Sequence, residues 1–325
     1  MKRQTICSGL LAAVCMLGAQ AWAAETDSYP DRPVRFIVPY SVGGTSDLVG
    51  RLVGAKLGEE LGQQLVVDNR GGGGSTIGTT LLAESSPDGY TLIVNNIGLA
   101  VNETLRPERS YVALRDLAPI SLVGFTPSVL VVNNNFPAKS VAEFVAMAKA
   151  QPGKIAFGSA GAGSSTHLSM AYLLKIANIK LLHVPYKGGG PAVRDTIAGH
   201  VKCVMSPIPT VFGHLKAGRL RGIGVSGSKR SPVLPNMPTV AESGVPGYEF
   251  STWYGVLAPA KTPKAIITKI NQAMNKGLKA ADLRDKLGSQ GMDAEPSTPE
   301  AFGKLIRDEI AKWREVIESS GINKT

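Results

Sequence analysis

Three stretches of this 325-residue chain carry the residue types that can hold an anion. Pro39-Tyr40-Ser41-Val42-Gly43-Gly44-Thr45-Ser46-Asp47 lies between an apolar run, Val34 to Val38, and a helical pattern from Leu48 to Leu61. A helix start leaves its first amides without partners and carries a partial positive charge, so a carboxylate placed there gains hydrogen bonds and a favourable dipole. Gly43 and Gly44 let the backbone approach such a ligand closely. Gly158 to His167 repeats the theme with hydroxyls at Ser159, Ser164, Ser165 and Thr166 and with small residues such as Ala160. His183-Val184-Pro185-Tyr186-Lys187-Gly188-Gly189-Gly190 is the third. Together they offer many neutral donors and almost no carboxylate, which suits holding the carboxylate of a ligand. Each has a plainer reading. Asp47 or the hydroxyls before it serve equally as a helix cap; His167 is a donor, a base, or a ring bonded to its own loop; Lys187 is a ligand cation or a solvated side chain.

Other chemistries find less support. Gly71 to Gly74 with Ser75 lacks the Gly-Lys-Ser/Thr ending of a phosphate loop, and no Gly-x-Gly-x-x-Gly follows the first strand, so no nucleotide cofactor is expected. No Gly-x-Ser-x-Gly elbow occurs. Ser164 or Ser165 with His167 imitates a hydrolase pair without a placed acid, and an exported serine hydrolase is the alternative reading. His167, His183, His200 and His214 share no zinc spacing. Lys and Arg are dispersed among Asp and Glu, without the basic run a nucleic-acid partner requires.

These loops must be positioned by strands and helices in alternation, the signature of an α/β fold with a largely parallel sheet. Strands are expected at Val34 to Val38, Leu65 to Asp68, Thr91 to Val94, Ile155 to Phe157, Leu181 to Val184, Lys202 to Met205, Leu220 to Val225 and Trp253 to Ala258. Leu117 to Val132 reads as two short strands broken at Thr126-Pro127, where the chain crosses into a second domain. Helices are expected near Asp47 and Thr76, over Val141 to Ala150, His167 to Ala177 and Pro191 to Gly199, and twice near the C-terminus. There Phe302, Leu305, Ile306, Ile310, Trp313 and Ile317 form one apolar stripe that packs back on the first domain.

Lys2 and Arg3, an apolar segment from Ile6 to Ala19 and Ala21-Trp22-Ala23 have the layout of a secretory signal peptide cut after Ala23. Cys7 and Cys15 leave with it, so Cys203 has no intramolecular disulfide partner. The formal charge of +10 includes Lys2 and Arg3, and the processed chain keeps a positive balance that favours anionic small molecules.

Tyr29-Pro30-Asp31-Arg32-Pro33-Val34-Arg35, Val38-Pro39-Tyr40 with Gly43-Gly44 and Asp47, Val66-Val67-Asp68-Asn69-Arg70, and Ser85 with Pro87-Asp88-Gly89-Tyr90 resemble the Bug-type periplasmic receptors of tripartite tricarboxylate transporters. Gly163-Ser164 with His167-Leu168, His183 to Gly188, Pro191-Ala192, and Trp253 with Gly255 and Ala258-Pro259 extend the match along the chain. The resemblance implies a type II periplasmic-binding (Venus flytrap) fold. In it residues 24–126 plus 255–325 form one α/β domain, 127–254 the other, and two crossover strands join them. It implies a monomeric periplasmic receptor, not an enzyme, that needs no cofactor and delivers a small carboxylate to an inner-membrane permease. Carried over residue by residue, the ligand faces Tyr40, Gly43, Gly44, Thr45, Ser46 and Asp47 on one side. Ser159, Ala160, Ser164, Ser165, His167 and Tyr186, Lys187 and Gly188 stand on the other, with Asn95, Thr126 and Trp253 deeper in. Tyr40, Phe125 and Trp253 are expected to form an aromatic wall, which admits an aromatic mono- or dicarboxylate beside citrate-like, nicotinate-like and amino-acid ligands. Ser41-Val42 and Asn95-Asn96-Ile97-Gly98 depart from the family pattern.

Overall fold

Val34–Val38 (β1) is buried at every position except Arg35 and has a parallel partner on each side, Leu65–Asn69 (β2) and Thr91–Asn96 (β3). A strand flanked on both edges and covered on both faces needs a continuous apolar run, and the sequence supplies one. The computed structural model describes residues 28–320, so the expected leader lies outside the described residues. Thr45–Leu61 (α1) returns the chain from β1 to β2 and stops at Gly62, whose φ of 73° gives the left-handed cap that glycine adopts without strain. Thr76–Ala83 (α2) leads to β3, and Gly98–Leu105 (α3) and Ala113–Asp116 (α4), neither anticipated, lead on to Leu117–Val132 (β4).

β4 corrects the reading of two short strands: it is one continuous strand of 16 residues. Its first part pairs antiparallel with Ser251–Pro259 (β9) and briefly with Asp293–Ala294 (β10), its last part with Cys203–Pro207 (β7) and Arg221–Val225 (β8). Pro127 faces Ser251, the first residue of β9, and pairing with β7 begins at Ser128. The missing N–H of proline therefore falls where the ladder changes partners, a position at which it breaks no run of bonds.

The second half repeats the alternation. Val141–Ala150 (α5), Ala156–Ser159 (β5), Ser165–Ala177 (α6), Leu182–Pro185 (β6) and Gly189–Ala198 (α7) precede β7, and Ile208–Lys216 (α8) precedes β8. β5 runs parallel to both β6 and β7. The resulting order is β2-β1-β3-β9-β4-β7-β5-β6, with β8 and β10 both attached to β4.

Lys264–Lys279 (α9) packs Ile266, Ile270 and Met274 with Val53 and Leu57 of α1, beside β1. Ala281–Gly288 (α10) and Pro299–Ser320 (α11) complete the chain as described. Phe302, Ile306, Trp313 and Ile317 of the expected stripe are buried, and the Phe302 ring meets Trp253 of β9 edge-on at 5.4 Å. Among the described residues no helix is long and apolar enough to cross a membrane.

Candidate ligand-binding crevice

Four helix starts converge on one crevice: Gly44, Thr45 and Ser46 of α1, Ser165 and Thr166 of α6, Gly189 of α7, and Pro207 with Thr210 of α8. Tyr40, Asn96, Ala160 and Tyr254 complete the lining, which contains no Asp, Glu, Lys, Arg or His. The crevice has a volume of only about 20 Å³, so it is a narrow slot. First-turn amides without intrahelical partners, neutral hydroxyls and one side-chain amide are the donors such a slot presents. Among the described residues no cluster of His, Cys, Asp and Glu is arranged to hold a metal.

On the β1 side the Tyr40 hydroxyl lies 3.2 Å from Asn96 Oδ1 and 3.3 Å from the Gly74 carbonyl. Asn96 Oδ1 also accepts the Gly98 amide at 2.9 Å, and its Nδ2 donates to Ser46 Oγ at 3.3 Å. Burial pushes the Tyr40 phenol up to about 12 and raises Tyr254, beside Thr45 and Ser46, still further, so both stay neutral donors.

Asp47 stands just outside the lining. Its carboxylate accepts the Gly43 amide at 3.0 Å and Asn69 Nδ2 at 3.1 Å, and pairs with Arg51 at 3.0 Å. Burial alone would raise its pKa, but the Gly43 amide, Arg51 and Asn69 together outweigh burial and hold it below the ordinary carboxylate value. Asp47 therefore fastens the loop that shapes the α1 start. Asp47→Ala is expected to cost about 1–2 kcal/mol of stability, the usual loss when a carboxylate that accepts backbone and side-chain hydrogen bonds is removed, read from urea unfolding.

On the other side the hydroxyls divide between lining and scaffolding. Ser164 caps α6, accepting the His167 amide at 3.3 Å and donating to the Gly161 carbonyl at 2.6 Å. Thr166 Oγ1 accepts the Ala160 amide at 2.7 Å. Ser159 Oγ accepts the Gly161 amide at 3.1 Å and bonds His183 Nε2 at 2.6 Å. His167 Nδ1 accepts the Gly163 amide at 3.3 Å; an amide can only donate, so the ring is neutral. The imidazoles of His167 and His183 stack at 4.2 Å against Phe157. Burial, with the nearby His183 and Arg106 charges, lowers His167 to about 3, and burial lowers His183 to about 4. Of the three readings of His167, the ring bonded to its own loop is the one seen: Nδ1 is occupied as an acceptor, and the residue does not line the slot. The hydrolase pair fails, because the Ser164 hydroxyl is spent on Gly161 and the His167 acceptor nitrogen on Gly163.

Of the expected positions, Tyr40, Gly44, Thr45, Ser46, Ala160 and Ser165 line the slot. Gly43 lies behind it, held by Asp47. Asn95 donates to Thr79 Oγ1 at 2.9 Å, Thr126 donates to the Gly291 carbonyl at 2.8 Å, and Trp253 lies in the core against Phe302. Phe125 packs at the edge of the same core. The expected aromatic wall of Tyr40, Phe125 and Trp253 is replaced by Tyr40 and Tyr254. Tyr186 donates to Asp195 Oδ2 at 2.7 Å, and the Lys187 side chain is exposed. Thr166 and Gly189 belong to the expected loops and Asn96 to the segment that departs from the family pattern, though none of the three was assigned to the ligand; Pro207, Thr210 and Tyr254 were not anticipated. Asn96 and Tyr254 are register partners across β3 and β9, so the sequence reading chose the residue next door on each strand.

Gly189 apart, the third loop lies against the first. The Lys187 carbonyl accepts both the amide and the hydroxyl of Ser41, each at 3.1 Å. A Cβ on Gly188 would stand 2.8 Å from the Ser41 nitrogen, and one on Gly190 would stand 2.6 Å from the Val42 carbonyl oxygen. Glycine is what lets these backbones touch.

A mixed α/β sheet with helices on both faces and a donor-lined slot between its halves is the build of a periplasmic solute-binding protein. The chain belongs to the tripartite tricarboxylate transporter family of receptors: the model described as "Tripartite tricarboxylate transporter family receptor" matches residues 49–322. It is 37% identical over 317 residues to Protein BugT of Bordetella pertussis, covering 96% of this chain and 97% of that one. It is similar to the solved structure of R. palustris Rpa4515 with adipate, at 33% identity and a TM-score of 0.87 over 90% of this chain and 98% of that one. MatC from Rhodopseudomonas palustris with bound malate is similar at 31% identity and a TM-score of 0.86, over 89% of this chain and 100% of that one. The family is one of transporter receptors, not enzymes.

Proposed function

We propose that this receptor closes on a small carboxylate, with short dicarboxylates first among the candidates, and hands it as a monomer to an inner-membrane permease of its transporter after export and loss of residues 1–23. The observation that carries the reading is the meeting of four helix starts in a lining without a single carboxylate. Partial positive charge and unpaired amides there favour an anion, and no acidic side chain opposes it. Adipate and malate in the related receptors support the dicarboxylate choice. Residues 24–126 with 255–325 form one lobe and 127–254 the other, and the lobes swing on the crossover segments Phe125 to Val132 and Phe250 to Ala258. The partner change of β4 at Pro127 supports this division. Ligand contacts to both lobes favour the closed form by their differential affinity for it.

The test is a thermal-shift screen followed by calorimetry with malate, adipate, citrate, terephthalate, nicotinate and glutamate. At least one acid is expected to raise the unfolding midpoint, since a ligand at a hundred times its Kd adds about 2.7 kcal/mol. The dimethyl ester of the best acid is expected to lose that shift. Equal shifts from acid and ester would remove the anion reading. Terephthalate leading the series would move the choice to aromatic acids, which Tyr40 and Tyr254 can face.

A further inference from the structure

A second, open pocket of about 680 Å³ adjoins the slot. No residue lines both, but Ser41 and Gly161 of the pocket directly follow Tyr40 and Ala160 of the slot. The glycine run Gly72 to Gly74, which lacks a phosphate-loop ending, finds a place here as wall. Arg106 and Lys187 also line the pocket, and no Asp or Glu does. The Lys187 side chain is exposed, but that of Arg106 is only 19% exposed and is poorly matched. Its Nη2 reaches the Ala162 carbonyl at 3.5 Å, the limit of a hydrogen bond, and its Nη1 stands 3.8 Å from Glu108, a carboxylate 61% exposed to water. Its Nε is buried and has no hydrogen-bond partner among the described residues. A guanidinium withdrawn from water calls for a closer anion than this, and its planar fork of donors suits a carboxylate. The rest of the pocket is of another kind: Ile77 is 52% exposed, Pro185 is exposed, and Pro191 and Ala162 stand with them. We propose that this pocket is a second ligand site, for a carboxylate with an apolar body, whose head is held by Arg106 while its body covers Ile77, Pro185 and Pro191. It stands apart from the slot and does not depend on which acid the slot takes.

The probe is 4-bromobenzoate. A crystal of the processed chain soaked in it is expected to show bromine, located by anomalous scattering, beside Ile77 and Pro191, with the carboxylate facing Arg106. Calorimetry on wild type, Arg106→Gln and Ile77→Ser measures the same site in solution, with thermal unfolding of each variant as a check on folding. Arg106→Gln is expected to weaken 4-bromobenzoate at least tenfold, the weight of a charge-assisted hydrogen bond. Ile77→Ser, a change at an exposed position that leaves the charge in place, is expected to weaken it about fivefold through lost apolar cover. Bromine found only in the slot, or nowhere, would overturn the inference while leaving the reading of the slot untouched. A folded Arg106→Gln that binds as tightly as wild type would overturn it too, and would mean binding at crystal concentration only. Inorganic phosphate binding wild type as tightly as 4-bromobenzoate, with Ile77→Ser without effect, would overturn the apolar body and reduce the pocket to a site for a bare ion.

Discussion

Gly190→Ala leaves the protein folded and raises the dissociation constant for its acid roughly 10- to 100-fold, the weight of about 1–3 kcal/mol of overpacking felt in the closed form alone. The added Cβ would stand 2.6 Å from the Val42 carbonyl oxygen, a backbone atom that cannot rotate away. Gly190 lies in the first turn of α7, where alanine is a better helix former than glycine, so the second half itself is not weakened. The clash arises when Ser41 to Gly44 meets Lys187 to Gly190. The binding-competent fraction falls, and apparent affinity falls in proportion. Gly213→Ala is the matched control, because a Cβ there meets nothing within 4 Å on an exposed part of α8. Calorimetry on both variants decides the matter: equal affinities would mean that this contact has no part in closure.

The second large effect is on pH. His167 and His183 titrate near 3 and 4 in the folded chain but near 6.5 once unfolded. Above pH 6.5 both states hold them neutral and they add no slope. As pH falls below 6.5 the unfolded chain takes up protons that the fold refuses, so stability drops, and it continues to drop toward the folded values. By pH 5 the pair is expected to have cost about 2–3 kcal/mol, discounted for the partial exposure of His183. Asp47 and Asp68, held below the ordinary carboxylate value, act lower still: their stabilisation is complete above pH 4 and is lost beneath it. Urea unfolding at pH 7.5 and pH 5 isolates the histidines, and His167→Phe, stacked in place of the imidazole, is expected to remove part of the slope. A flat profile over that interval would contradict the burial of the pair.

The strands β1, β2 and β3 were legible because apolar runs bounded by turn residues leave few alternatives. The loops at Tyr40 and Ser165 were legible for a related reason: glycines and hydroxyls crowded between a strand and a helix have few other uses. What stayed hidden was which face of a strand looks into the slot. Every residue of β3 after Thr91 is buried, as is every residue of β9 after Ser251, so the alternation that separates two faces is absent. Asn95 and Trp253 were therefore as good as Asn96 and Tyr254 on sequence alone. Thr210 was missed with its helix, although Ile208, Val211, Phe212 and Leu215 keep helical spacing; Pro207 and Pro209 masked the pattern. Pro209 fits because the first turn of a helix needs no amide there. Pro127 misled in the opposite sense, suggesting a break where the strand only exchanges neighbours.

A slot whose walls carry no formal charge has a further consequence for how cargo is gained and given up. Attraction between dissolved ions fades as electrolyte accumulates, whereas amide dipoles pressed against a desolvated anion are shielded far less. Affinity in the shut state should thus vary little with ionic strength. Once the lobes part, water can replace each amide in turn, and no counter-ion remains to hold the departing acid back.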